Sequence, residues 1–425
     1  MTICDGLAYR IEVRDPASGE VHVTLLLPVA AYGPPTGSAG ERALLLFLPV
    51  WTPGSYMVRE YSRHLGAVEA TDAASGAPVP VAKVSKNRFA LTVAKKTQQV
   101  RVSYRVYAHE LSVRTADVTG EHAFWNHSCL LLWPVDRPQL PATLDIVFPK
   151  GWRLACALPI EVVAPDPSPP LASDPAAPQT CRLRAHDMEH AFDSPCLLGD
   201  LQQRSWTSLG VRHTVAMDGL AAIEPPASIA EDLARIVEAA AAVFTGPLPY
   251  PEYTFLCLFA ADGHGGLEHR DSTTLLMGRT ALGSDKGYRE FLGLAAHELF
   301  HAWNVKRLRP AEFWTYDYER ENYTPFLWLI EGWTAYYDDL LCLRAGLMSR
   351  NDYLEIVSKN INSTLQAPGR LRLSLAESSF DAWIRLYRPD ENTRNSSQNY
   401  YVNGSVAAMA LDLTIRRESS GNRSL

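Results

Sequence analysis

Two histidines and a glutamate in the run His297-Glu298-Leu299-Phe300-His301 have the types and the spacing for hydrolytic metal chemistry. On a helix, residues i and i+4 share a face, so His297 and His301 can direct their imidazoles at one ion. Glu298 falls on the neighbouring edge, close enough to take a proton from a metal-activated water without being a ligand itself. Such a pattern also arises by chance in helices, so its surroundings decide its weight. Phe291, Leu294, Ala295 and Leu299 make an apolar stripe at helical spacing, and Ser284-Asp285 supplies a start signal. Two imidazoles and a carboxylate buried there without a metal would carry heavy desolvation costs.

A catalytic zinc takes three protein ligands and leaves its fourth position open. Glu331, 30 residues beyond His301, is the candidate third ligand for a single ion. It is an isolated acid in Trp328-Leu329-Ile330-Glu331-Gly332-Trp333-Thr334-Ala335-Tyr336-Tyr337, a buried helix that Pro325 would open as a first-turn residue and Gly346 would close. The alternative for so buried an acid is an ion pair with Arg344 or Lys306. Asp338 lies seven positions after Glu331, on the same face, where it would either orient a ligand histidine or stand as an exposed acid.

The pairing of His-Glu-x-x-His with a downstream glutamate is similar to the gluzincin metallopeptidases. Within them, His301-Ala302-Trp303-Asn304-Val305-Lys306-Arg307-Leu308-Arg309-Pro310 resembles the signature of the glycyl aminopeptidase family. Gly265-Gly266-Leu267-Glu268-His269 resembles the Gly-x-Met-Glu-Asn strand of aminopeptidases, and Tyr400-Tyr401-Val402-Asn403-Gly404 their Tyr-x-Lys-Gly segment, with Asn403 where relatives usually carry lysine. Trp51-Thr52-Pro53-Gly54-Ser55-Tyr56 resembles a signature of the family's N-terminal domain. The resemblance runs from about residue 45 to residue 425. It implies a zinc aminopeptidase with a thermolysin-like catalytic domain, acting on peptides and preferring small N-terminal residues such as glycine or alanine. It also implies a C-terminal PDZ domain. The chain ends after a helical segment, which points to truncation before that domain or to a member without it.

Two further residues acquire roles through that likeness. Glu268, fixed on a strand edge beside the metal, would pair with a substrate's free α-ammonium group and so set the cut one residue from the N-terminus. Gly265 and Gly266 would let substrate backbone approach closely; taken alone, the same residues read as a turn and a surface acid. Tyr401 would donate its phenolic hydrogen bond to the developing oxyanion, with Tyr400, Tyr336 and Tyr337 as alternatives. His264 and His269 flank the presumed substrate strand. The other histidines show no ligand spacing, so solvated or hydrogen-bonded roles are expected. Lys306, Arg307 and Arg309 would either bind a peptide carboxylate or close the helix C-terminus.

These residues need elements to hold them. The 425 residues predict two or three domains, and an apolar share of 47% supports sizeable cores. Residues 1–190 read as an antiparallel β-sandwich-like domain, with strand-like runs at 21–27, 43–48, 100–108 and 143–148. Seven prolines from Pro159 to Pro178 mark an irregular excursion. Residues 191–425 read as an α+β catalytic domain. Its strands are expected at 207–215, 253–259 and 272–277, and its helices at Ser228 (a capping box with Glu231), Ser349 and Ser374, besides those of the motif. No internal repeat is visible.

Composition excludes several classes. A net charge of −7 with scattered signs leaves no basic footprint for nucleic acid. No run approaches the eighteen or so apolar residues a membrane span needs. The start Met1-Thr2-Ile3-Cys4-Asp5 lacks the basic-then-apolar order of a signal peptide. Seven cysteines form no Cys-x-x-Cys pair, and the odd count favours reduced thiols in a cytoplasmic protein. A zinc endopeptidase, in which Glu268 has no amine to bind, and a non-catalytic, metal-bound peptide-binding protein remain as alternatives to the aminopeptidase.

Overall fold

The computed structural model of the chain describes residues 6–32, 41–163 and 178–425. Met1 to Asp5, with Cys4, and most of the proline-rich excursion lie outside the described residues. By compactness the chain forms two units. The first runs up to Gln203 and includes 216–218 and 318–321; the second comprises Arg204–Val215, Gly219–Asp317 and Asn322–Leu425. Strand Cys196–Gly199 pairs with His122–Trp125, which carries the first unit past the expected split near residue 190.

Period-two alternation builds the first unit. In Glu20–Pro28, Val21, Val23, Leu25 and Leu27 are buried while the residues between them are less so. This strand lies inside a seven-stranded sheet ordered Ile160–Val162, Gln179–Ala185, Ala142–Phe148, Leu7–Glu12, Glu20–Pro28, Gln99–Tyr107, Glu69–Asp72. The sheet is not wholly antiparallel as expected, because Leu7–Glu12 runs parallel to Ala142–Phe148. Two four-stranded sheets complete the unit, one carrying Glu41–Phe47 and the other His122–Trp125. Tyr9 and Tyr104 donate their buried hydroxyls to Leu132 O and Leu130 O, both at 2.8 Å.

The Trp51 to Tyr56 signature serves this unit's interior. Trp51 is fully buried, stacks on Tyr318 at 4.6 Å and donates Nε1 to Arg320 O at 2.9 Å. Arg88 adds a bidentate pair to Glu319. Residues 318–321 therefore belong to the N-terminal unit, although sequence order places them among the catalytic helices.

A five-stranded sheet in the order Gln202–Ser208, Val211–Asp218, Glu252–Ala260, Ser272–Gly278, His264–Glu268 leads into the helices of the catalytic unit. The expected strand at 207–215 is instead a hairpin: Leu209 and Gly210 both take positive φ, 50° and 78°, at its turn. The helices that matter for the site are Asp285–Phe300, Leu327–Arg344 and Tyr400–Glu418. Ser284, Ser349 and Ser374 cap their helices as expected, and Ser374 with Glu377 forms a complete capping box. Ser228 does not; its hydroxyl donates to Asp232 Oδ2 at 2.7 Å, so no box with Glu231 forms. The helix of Glu331 begins at Leu327 with Phe326 as cap, leaving Pro325 outside its first turn, and Gly346 closes it with φ of 69°. Among the described residues no helix is long and apolar enough to cross a membrane.

Candidate metal centre

The helix Asp285–Phe300 carries His297 and Glu298, and His301 is its C-terminal cap residue. Helix Leu327–Arg344 presents Glu331 from its second turn. Glu331 Oε2 lies 3.4 Å from His297 Nε2 and 3.2 Å from His301 Nε2. The other ring nitrogens fix the tautomers. His297 Nδ1 is 2.9 Å from Asp338 Oδ2 and His301 Nδ1 is 2.8 Å from Asn304 O, and since carboxylate and carbonyl oxygens only accept, both Nδ1 atoms donate. Both Nε2 lone pairs then face a carboxylate, an arrangement that only a cation or added protons can satisfy. Burial opposes charge on both imidazoles, yet their partners, Asp338 and Glu331 for His297 and Glu331 for His301, raise their proton affinity. Burial likewise opposes charge on Glu331, but His301 and His297 hold it down at about 2. A divalent ion would do the same work while keeping both rings neutral, so the donor set of two imidazoles and one carboxylate fits zinc.

Asp338 is bonded to His297 and is not an exposed acid, and Glu331 faces both imidazoles rather than Arg344 or Lys306. Their placement depends on two glycines. A Cβ on Gly332 would lie 2.6 Å from Gly404 Cα, and one on Gly404 would lie 2.8 Å from Trp328 O. The helices of Glu331 and Tyr401 thus meet backbone to backbone beside the site. Sequence reading assigns this pair no role, because a glycine contact between distant helices has no local signature.

Glu268 and Glu298 face the same cluster, and with His301 their ligand atoms lie within 4.8 Å of one another. Both acids are buried, at 4% and 5% exposure, and Glu268 Oε1 and Glu298 Oε2 have no hydrogen-bond partner among the described residues. Orphaned carboxylate oxygens are costly unless a cation, water or substrate meets them. Burial pushes Glu298 up to about 7, against the pull of His297 and His301 and with the help of Glu268 and Glu331.

Glu268 does sit on a sheet edge, in strand His264–Glu268, so the turn reading of this segment is set aside. Gly266 has a different neighbour from the one expected. A Cβ there would fall 2.0 Å from Glu298 Oε1, so the glycine makes room for the side chain of Glu298. Gly266→Ala should therefore displace Glu298 and lower kcat at least about tenfold with zinc content unchanged. Steady-state kinetics on the metal-analysed variant measures this, and an unaltered kcat would remove the steric argument.

Tyr401 enters in the first turn of helix Tyr400–Glu418, capped by Asn399, whose Oδ1 accepts from the Tyr401 and Val402 amides. Its ring centroid is 6.3 Å from that of His297, and its hydroxyl is 3.2 Å from that of Tyr387. Burial and the neighbouring Glu331 raise its proton affinity well above normal, keeping it a donor. Of the alternatives, Tyr336 donates to Asp412 Oδ2 and Tyr337 to Leu425 O, both at 2.7 Å, whereas Tyr400 stays at the site, stacked on Tyr401 at 4.9 Å and beside Tyr387 and Glu331. Asn403 bonds Gln398 and Thr364, filling a structural place.

Arg307 donates to Pro249 O, Arg270 O and Ala302 O and pairs with Asp271, which makes it a strut of the unit. Arg309 lies 4.7 Å over the Tyr316 ring. His264 is exposed and His269 fully buried. Sequence reading missed Tyr387 and the role of Asn304, which lies within the quoted motif.

The pattern of the M61 glycyl aminopeptidase family matches residues 290–407, and that of the M61 N-terminal domain matches residues 8–200. A search of the curated proteins returns no match. Among solved structures, an aminopeptidase N family protein from Idiomarina loihiensis is 33% identical with a TM-score of 0.87, covering 98% of this chain and 68% of that one. An M1 zinc metallopeptidase from Deinococcus radiodurans, in a substituted form bound to a Tyr-Ser-Ala substrate, shares the fold at 17% identity and a TM-score of 0.55, covering 98% of this chain and 85% of that one. With the family's patterns in both its halves and a 33% identical structure matched along 98% of its length, the chain belongs to the M61 glycyl aminopeptidase family and is a metallo-aminopeptidase.

Proposed function

We propose that the chain is a one-zinc aminopeptidase that removes small N-terminal residues, glycine or alanine, from peptides in the cytoplasm. The observation that carries this reading is the convergence of His297 Nε2, His301 Nε2 and Glu331 Oε2, with the unpartnered oxygens of Glu298 and Glu268 beside them. Zinc held by His297, His301 and Glu331 would polarise the scissile carbonyl and acidify a water.

The chain's own groups do the rest. Glu298 accepts at its carboxylate the proton that the attacking water gives up, then delivers it to the departing amine. Glu268 pairs with the substrate's α-ammonium group and so aligns the first peptide bond with the metal ligands. Tyr401 donates its hydroxyl hydrogen to the oxyanion, with Tyr387 within hydrogen-bond distance to hold it. Asp338 and Asn304 O keep both imidazoles in the Nδ1–H form, so that Nε2 is the ligating atom. The preference for a small residue is supported by the family's description as glycyl aminopeptidases. The cytoplasmic setting is supported by the six described cysteines, which are free thiols.

Metal analysis with a panel of glycyl, alanyl and leucyl chromogenic substrates tests the reading. One zinc per chain and fastest release of glycine or alanine are expected. A leucyl preference would overturn the specificity, and a zinc-loaded chain inert across the panel would overturn the activity. Tyr401→Phe should lower kcat about a hundredfold with KM little changed, the signature of a donor used in the transition state. An unchanged kcat would pass the role to another donor.

A further inference from the structure

We propose that Asn304 is the positioning residue that locks the two metal-ligand helices together, gripping the helix of Glu331 with its side chain while its own carbonyl aims the imidazole of His301. The inference rests on the zinc reading above and adds to it a residue that touches neither metal nor substrate.

Asn304 Nδ2 lies 3.1 Å from Leu329 O, 2.8 Å from Ile330 O and 3.1 Å from Thr334 Oγ1. The first two acceptors immediately precede Glu331, so the amide holds the turn of helix that presents the third ligand. Thr334 Oγ1 donates its own hydrogen to Ile330 O at 2.7 Å, which leaves its lone pairs for Asn304. On the other side, Asn304 O accepts from His301 Nδ1 at 2.8 Å. One residue therefore fixes a ligand's tautomer and ring plane through its backbone and a second ligand's helix through its side chain.

The backbone beside it records the constraint. Val305 is fully buried and has φ of 131°, a region that L residues avoid and a β-branched residue avoids most. Such strain persists only where the surroundings over-determine it. Here Val305 N donates to Trp303 O and Lys306 N to His301 O, closing a tight loop around Asn304. The loop could relax if Asn304 were not anchored at both ends.

Asn304→Ala keeps the carbonyl but removes the grip, and Asn304→Asp places a carboxylate against two carbonyl oxygens. Full-length wild type, both variants and Ser378→Ala, which deletes a buried hydrogen bond to Gln398 O elsewhere in the unit, are stripped of metal and titrated with zinc against a chelator. Asn304→Ala should bind zinc about 10- to 100-fold more weakly, the range for a group behind a ligand, and Asn304→Asp more weakly still. The visible spectrum of cobalt-substituted Asn304→Ala should differ from wild type, reporting a changed ligand arrangement, while Ser378→Ala keeps wild-type affinity and spectrum.

Wild-type zinc affinity and cobalt spectrum in Asn304→Ala would overturn the proposal, even if that variant melted at lower temperature. Equal zinc loss in Ser378→Ala would overturn it too, by tracing the effect to general destabilisation. Should neither Asn304 variant fold, Thr334→Val removes one acceptor of the grip, and a severalfold zinc loss with a shifted cobalt spectrum is then the supporting result, wild-type values the opposing one. Failure of the zinc reading is a separate outcome: wild type would hold no zinc, or His301→Ala would hold it undiminished.

Discussion

Glu298→Gln is expected to retain zinc and lose turnover by about a hundred- to ten-thousandfold, the range general acid–base catalysis contributes. The substitution preserves shape where shape is constrained, since the carboxyl group lies over Gly266 with no room for a Cβ there. It removes the proton acceptor where one is needed. Glu298 Oε2 is buried without a partner and stands beside His301 and Glu268, whereas an amide offers a neutral group that takes no proton from water. Glu298 is not among the three groups assigned to the ion, so metal content should be that of the wild type, and KM for a glycyl substrate should move little. Metal analysis and kcat on the same preparation decide the matter. Full turnover in a zinc-loaded Glu298→Gln protein would take Glu298 out of the mechanism.

Blocking the substrate's α-amino group should be nearly as damaging. Glu268 is 4% exposed and its Oε1 has no partner among the described residues, so the free site holds a desolvated carboxylate oxygen that an ammonium group can satisfy. Acetylation removes the charge-assisted hydrogen bond and sets an uncharged amide against the buried acid. Loss of a charged hydrogen bond combined with that unrelieved desolvation amounts to about 3–5 kcal/mol, or roughly a hundred- to several-thousandfold in kcat/KM. Glu268→Ala should narrow the gap between free and acetylated peptides, chiefly by slowing the free ones. Equal cleavage of both peptides by wild type would defeat the aminopeptidase assignment of Glu268 and favour the endopeptidase alternative.

What could be read before folding was whatever the chain encodes within a few residues. The i, i+4 spacing of His297 and His301 puts two imidazoles on one helical face, and Ser284, Ser349 and Ser374 cap helices because a side-chain oxygen reaches an amide three residues on. Local signals failed where two local outcomes compete. The strand-like stretch at 207–215 hides a hairpin turn at Leu209-Gly210, and Ser228 spends its hydroxyl on Asp232 rather than on the backbone.

Sequence by itself thus determined the candidate ligand types, the acid beside them and the strand-then-helix order of the two units, since periodicity, capping and residue chemistry act locally. Glu331 could be nominated as an isolated acid in an apolar helix, but only packing brings it within 3.4 Å of both imidazoles. The tertiary structure alone decided that Gly332 and Gly404 let two helices touch, that Gly266 yields its space to Glu298, that Asn304 ties one ligand to the helix of another, and that 318–321 completes the N-terminal unit. Each of these is a contact between groups far apart in the chain, settled by the fit of surfaces rather than by any pattern along the sequence.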